Sequence, residues 1–136
     1  MCYLLIQKAA RRNGLRAKEK PLDIHQSSVD DVAILHLSGD VWGKSDEPER
    51  FRTTIEQLVT DRKLLVVVNL SQVKLISSIG LGMLISGYKI LSGGGGNMAI
   101  AKPSDSIKPV FQVFESPIQC FEAEDDAIAF LRGQEK

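Results

Sequence analysis

The chain is poor in the residues from which most metal and redox sites are made. It has two cysteines, Cys2 and Cys120, and two histidines, His25 and His36, in 136 residues. None of them has a companion at metal-ligand spacing, so the two histidines are expected to be exposed residues on strands. Two thiols make no disulfide framework. A reducing cytoplasm is the simpler compartment, with Cys120 expected as a buried free thiol. Aromatic residues are scarce at 6%, and Trp42 is the single tryptophan. No apolar run approaches the roughly 20 residues that a membrane span needs. Net charge is also absent, since 17 Lys/Arg balance 17 Asp/Glu. The balance is uneven along the chain. Residues 1–21 carry six Lys/Arg and one Glu, a net +5, which leaves the remaining body at −5. A mildly acidic body argues against a nucleic-acid-binding domain.

Catalytic signatures are missing too. No serine sits in a G-x-S-x-G elbow, and no cysteine–histidine pair offers a nucleophile and its base. The run Gly93-Gly94-Gly95-Gly96 is not followed by the Lys-Ser/Thr of a phosphate-binding loop, and Gly80-x-Gly82 lacks the third glycine of a dinucleotide fingerprint. The acidic run Glu122 to Asp126 suits a helix start and solvent better than a metal. The chain is thus expected to work by binding, without catalysis, cofactor or metal.

What the chain does have is a central stretch from Leu64 to Leu84. Leu64 to Leu70 is rich in β-branched residues without alternation, the pattern of a strand covered on both faces. A short polar loop leads to Ser77 and Ser78, either of which can cap the helix that follows. Its apolar stripe is read as Ile79, Met83, Leu84, Tyr88 and Leu91. Around this centre, Leu22–Gln26 and Val32–Leu37 read as strands joined by a turn over Ser27–Asp31. A helix begins near Pro48 and ends near Asp61-Arg62. Met98–Ala101 is a short strand, and Ser104 is expected to cap a helix with Ile107, Val110, Phe111 and Phe114 as its stripe. Gln119–Phe121 is an edge strand before a last helix through Leu131. These elements predict an α/β fold, a mixed sheet of about four or five strands covered by about four helices.

The motif Asn69-Leu70-Ser71-x-Val73-x-Leu75-Ile76-Ser77-Ser78-x-Gly80-Leu81-Gly82 resembles the signature of the STAS domain, the sulphate transporter and anti-sigma factor antagonist family. Leu37-Ser38-Gly39-Asp40-Val41, Gly95-Gly96-Asn97 and Pro103 to Phe111 resemble further family segments in family order, so the likeness spans about residues 22–132. The domain is therefore placed at 22–132 with a tail at 133–136. Residues 1–21 form a basic extension: a tail, a packed helix or the product of an upstream start codon. In the anti-sigma factor antagonists, aspartates usually stand where this chain has Asn69 and Ser77, and a hydroxyl residue stands where it has Ile79.

The resemblance implies an anti-sigma factor antagonist of the cytoplasm, favoured as a monomer, that binds an anti-sigma factor with serine kinase activity. It implies phosphorylation at Ser78, with Ser77 as the second hydroxyl, and a partner surface of Asp40, Ser77, Ser78, Ile79, Gly80 and Gly82. Small residues in a first helical turn permit another backbone to approach closely. Two further roles compete with that of antagonist, the first favoured by the loss of the usual aspartate at Ser77. One is a non-phosphorylated accessory subunit of an ABC-type lipid transporter; the other is a scaffold in a stress-signalling complex.

Overall fold

A computed structural model describes residues 21–133 of the chain. The extension assigned to residues 1–21 therefore lies outside the described residues except for Pro21. The described elements run β1 (Asp23–Val29), β2 (Val32–Ser38), α1 (Glu47–Thr60), β3 (Leu65–Gln72), α2 (Ser78–Gly93), β4 (Asn97–Ala101), α3 (Lys108–Val113), β5 (Gln119–Phe121) and α4 (Glu124–Leu131). The five strands form one sheet in sequential order, antiparallel between β1 and β2 and parallel thereafter. This is the mixed α/β architecture that the sequence predicts.

The unbroken apolar run of β3 follows from its place in the middle. Val66, Val68 and Leu70 face one side, where they pack with Leu35, Leu37, Met98 and Ile100 of the neighbouring strands. Phe51, Ile55 and Leu58 from α1 and Leu81, Leu84 and Leu91 from α2 complete that core. Val67 faces the other side with Val32, Ile34, Ala99 and Ala101, beneath Ala127, Ile128 and Leu131 of α4. Side chains alternate along a strand, so two covered faces require apolar residues at consecutive positions. Burying each of the larger of these side chains, Val, Leu, Ile, Met and Phe, contributes about 1.5–3 kcal/mol.

Several expectations are corrected. Ser27, Ser28 and Val29 belong to β1, and the hairpin turns at Asp30-Asp31 with Asp30 at φ 55°. An edge strand tolerates such polar residues because one face is solvated, and Ser27 and the half-buried His36 hydrogen-bond across the pair at 3.1 Å. His25 is exposed, as expected. The N-cap of α3 is Ile107, not Ser104. Ser104 instead accepts the Ile107 and Lys108 N–H groups at its carbonyl and directs its hydroxyl to the Val73 carbonyl at 3.2 Å. Phe114 is 54% exposed and forms no part of the core. Cys120, expected to be buried, is an exposed residue on edge strand β5. Partial desolvation and then the nearby Glu122 carboxylate push its thiol up to about 11.

The buried stripe of α2 also differs from the expected one. It consists of Gly80, Leu81, Met83, Leu84, Gly87 and Leu91, whereas Ile79 is 67% exposed. Gly87 explains the shift in phase. A Cβ there would lie 2.4 Å from the Phe51 ring, so the glycine face of α2 is the face that meets α1. Among the described residues, no helix is long and apolar enough to cross a membrane.

Candidate functional site

The carboxyl ends of β2 and β3 bring two loops together. After β2, the chain passes through Gly39 and Asp40 to Val41, which forms a parallel bridge with Ile76 in the segment leading to α2. The Val41 N–H donates to the Leu75 carbonyl at 2.9 Å, and the Ser77 N–H donates to the Val41 carbonyl at 3.0 Å. Asp40 is thus held half-buried at the edge of the α2 start.

Ser77 is the N-cap of α2, with an extended backbone (φ −89°, ψ 169°). Its Oγ accepts the Gly80 N–H at 2.9 Å and donates to the Trp42 carbonyl at 2.8 Å. Ser78 is the next residue, the first of the helix, and it is exposed. The two adjacent hydroxyls therefore differ sharply: one is committed to two hydrogen bonds, and the other faces solvent. No acidic residue occupies the first turn, so nothing there offsets the partial positive charge of the helix N-terminus.

Glycines set how closely the loop approaches the helix. Gly80 is buried, and a Cβ on it would lie 2.2 Å from the Val41 carbonyl oxygen. Gly43 has φ +73°, and a Cβ on it would lie 2.8 Å from the carbonyl carbon and oxygen of Ile79. The Gly43 N–H donates to Oε1 of Glu47 at 2.9 Å, a carboxylate that is only 8% exposed. Between these fastenings, the Trp42 ring lies beneath the Lys44 ammonium at 5.4 Å, a cation–π distance. The indole Nε1 is buried without an acceptor among the described residues.

The predicted surface residues are accordingly of two kinds. Ser78, Ile79 and Gly82 are exposed on α2, and Leu75 adds a 42% exposed apolar side chain just before it. Gly80 and Ser77 build the surface from beneath. The family resemblance already implies that the polar loop from Gly39 to Glu47, around Trp42 and Gly43, lies beside Ser78, but not the specific bonds of Trp42, Gly43 and Glu47. The signal was present in the single tryptophan beside a glycine, but pairing Gly43 with Ile79 required the fold.

Asn69, at the other position where the family usually has an aspartate, is 5% exposed. Its Nδ2 donates to Oε2 of Glu124, and its Oδ1 accepts the Ser71 N–H at 2.8 Å. Elsewhere, a groove of about 180 Å³ between α1 and α2 is lined by Pro48, Glu49, Arg52, Met83, Ser86 and Gly87. That is small beside an ordinary ligand pocket of roughly 300–1,000 Å³. Among the described residues, no group of three His, Cys, Asp or Glu side chains could hold a metal ion.

Comparison with known proteins agrees with this fold. A crystal structure of an anti-sigma factor antagonist from Mycobacterium paratuberculosis matches with a TM-score of 0.68 at 20% identity, covering 82% of this chain and 95% of that one. The Bacillus cell fate determinant SpoIIAA in its phosphorylated form matches with a TM-score of 0.59 at 19% identity, covering 82% of this chain and 100% of that one. A mouse solute carrier 26 family anion transporter matches with a TM-score of 0.68 at 13% identity, covering 96% of this chain and 25% of the transporter. No curated protein sequence matches the chain. The family model for the STAS domain matches residues 24–127, and the chain belongs to the STAS domain family.

Proposed function

We propose that this protein is an anti-sigma factor antagonist, a cytoplasmic binding protein without catalysis of its own. It sequesters an anti-sigma factor that is also a serine kinase, regulates sigma-factor-dependent transcription, and is released when that kinase phosphorylates Ser78. The observation that carries this reading is the exposed Ser78 hydroxyl at the first position of a 16-residue helix, next to a Ser77 hydroxyl already engaged twice. SpoIIAA, an antagonist of the same fold, is known in both unphosphorylated and phosphorylated forms.

The physics of the switch is local. A phosphate adds about −1.5 to −2 charges and three acceptor oxygens to a surface otherwise offering Ile79 and Leu75 to a partner. A helix N-terminus accommodates that charge, so the domain stays folded while the interface is lost. The test uses the candidate kinase encoded in the same genome with ATP, followed by mass spectrometry. Phosphate is expected on Ser78 and absent from Ser78→Ala, and Ser78→Asp is expected to lose the partner without losing helix content. Full partner binding by Ser78→Asp would overturn the switch.

A second reading draws on the match to an anion transporter and on the absence of the usual aspartate at Ser77. It makes the domain a non-phosphorylated accessory subunit of a transporter of ABC type. Co-purification with an ATPase of that type, and no phosphate from a kinase active on another antagonist, would select it.

A further inference from the structure

The two positions where aspartate is replaced share a property. Asn69 and Ser77 each accept one hydrogen bond and donate another. An ionised carboxylate has acceptor sites only, so it could serve the accepting half of each arrangement and neither donating half. At Ser77, the donated bond goes to the backbone of Trp42, 35 residues earlier in the chain.

We propose that Ser77 is the positioning residue that fastens the Trp42 loop to the start of α2, so that loop and Ser78 are presented to a partner as one surface. Among the described residues, backbone hydrogen bonds hold the loop on either side of Trp42. On one side the loop is held at Val41, through its two backbone hydrogen bonds to the 75–77 segment. On the other it is held at Gly43, through Glu47. The indole N–H has no acceptor among the described residues, and the carbonyl bond to Ser77 is the hydrogen bond that ties residue 42 to the start of α2. Gly43 lies against the backbone of Ile79, one residue beyond Ser78, and a displaced loop therefore alters the surroundings of the hydroxyl.

A counter-intuitive expectation follows. Ser77→Asp restores the residue usual in the family, and its carboxylate can still cap the Gly80 N–H. It also sets a negative oxygen against the Trp42 carbonyl oxygen where a hydroxyl proton now lies. The substitution releases the loop here. Ser77→Thr retains a hydroxyl and keeps the loop in place.

Trp42 is the single tryptophan, so its fluorescence reports the loop directly. Ser77→Asp and Ser77→Ala are expected to shift its emission to the red and to remove its protection from acrylamide, with far-UV circular dichroism unchanged. Ser77→Thr is expected to match the native protein. Native emission and protection in both Ser77→Ala and Ser77→Asp would overturn the proposal. Should Ser77→Asp fail to fold, the Ser77→Ala and Ser77→Thr pair decides it.

The partner half rests on the function proposed above and is measured separately, by binding to the candidate anti-sigma factor kinase without ATP. Weakened binding by Ser77→Asp, rescued by Ser77→Thr, supports a shared surface. A released loop with native affinity overturns the shared surface. If the native protein does not bind the kinase while the Trp42 shifts occur, the fastening stands and the proposed function falls.

Discussion

At its N-terminal end helix α2 meets a loop, and at its C-terminal end it turns into a strand. Glycine crowds both places. At the first, Gly80 and Gly43 let two backbones touch, Gly80 against Val41 and Gly43 against Ile79. At the second, Gly95 takes φ +92° and the Gly96 N–H returns to the Leu91 carbonyl at 2.8 Å. Gly96 then passes Leu64 so closely that a Cβ would lie 2.3 Å from its carbonyl oxygen, and the Asn97 N–H donates to that same oxygen at 2.9 Å. The C-terminal glycines aim the chain into β4, an internal task. Those at the N-terminus bring a loop from another part of the chain beside the exposed Ser78 hydroxyl, where the partner is proposed to bind.

Gly80→Ala tests the first end and is expected to have the largest effect. Its methyl meets backbone, which cannot rotate away as a side chain does. The loop must lift or the helix must shift, at a cost of about 3 kcal/mol of folding stability. Urea denaturation measures that loss, and Trp42 emission should move to the red in the same variant. Gly96→Ala is the matching test at the other end, with an expected loss of about 2–3 kcal/mol, because its methyl also meets backbone, at the Leu64 carbonyl oxygen, with the Leu91 side chain beside it. Trp42 emission should stay native in Gly96→Ala. A red shift there would mean that the two ends are not independent, and the comparison would break.

The order and type of the described elements were legible from periodicity because most strands and helices here keep one phase of apolar residues throughout. The α1 stripe of Phe51, Ile55 and Leu58 is the clearest case, whereas β3 was legible from its unbroken β-branched run, buried on both faces. In α2 the phase was not legible. The face that packs on α1 contains Gly80 and Gly87, which contribute little apolar signal, whereas Ile79 contributes strongly while facing solvent. A hydrophobic count therefore rotates the helix toward Ile79. Phe114 misled in the same way at the end of a helix of only six residues. The place of Ser78 at the start of α2 was legible through its motif. The Trp42 carbonyl bond was not, because a hydrogen bond between residues 42 and 77 has no local pattern to carry it.

Gly82 sharpens the comparison at the smallest scale, because it shares the N-terminal turns with Gly80 but none of its constraints. It is exposed, and a Cβ on it would meet nothing within 4 Å. Nothing in the fold itself requires glycine at this helical position. Gly82→Ala is expected to stabilise the domain by about 0.5–1 kcal/mol, through helix propensity and the loss of freedom in the unfolded chain. Gly82 also lies four residues after Ser78, hence on the same side of the helix. A partner that closes over Ser78 would meet the added methyl. The two readouts should then move in opposite directions: higher stability by denaturation, and weaker binding to the kinase in the absence of ATP. Glycine retained for packing gives lower stability when replaced, and glycine without a role leaves affinity alone. Raised stability with weakened binding is the pattern of a residue kept small for a partner. Unchanged affinity would confine that partner's footprint to the Trp42 loop, Ser78 and Ile79.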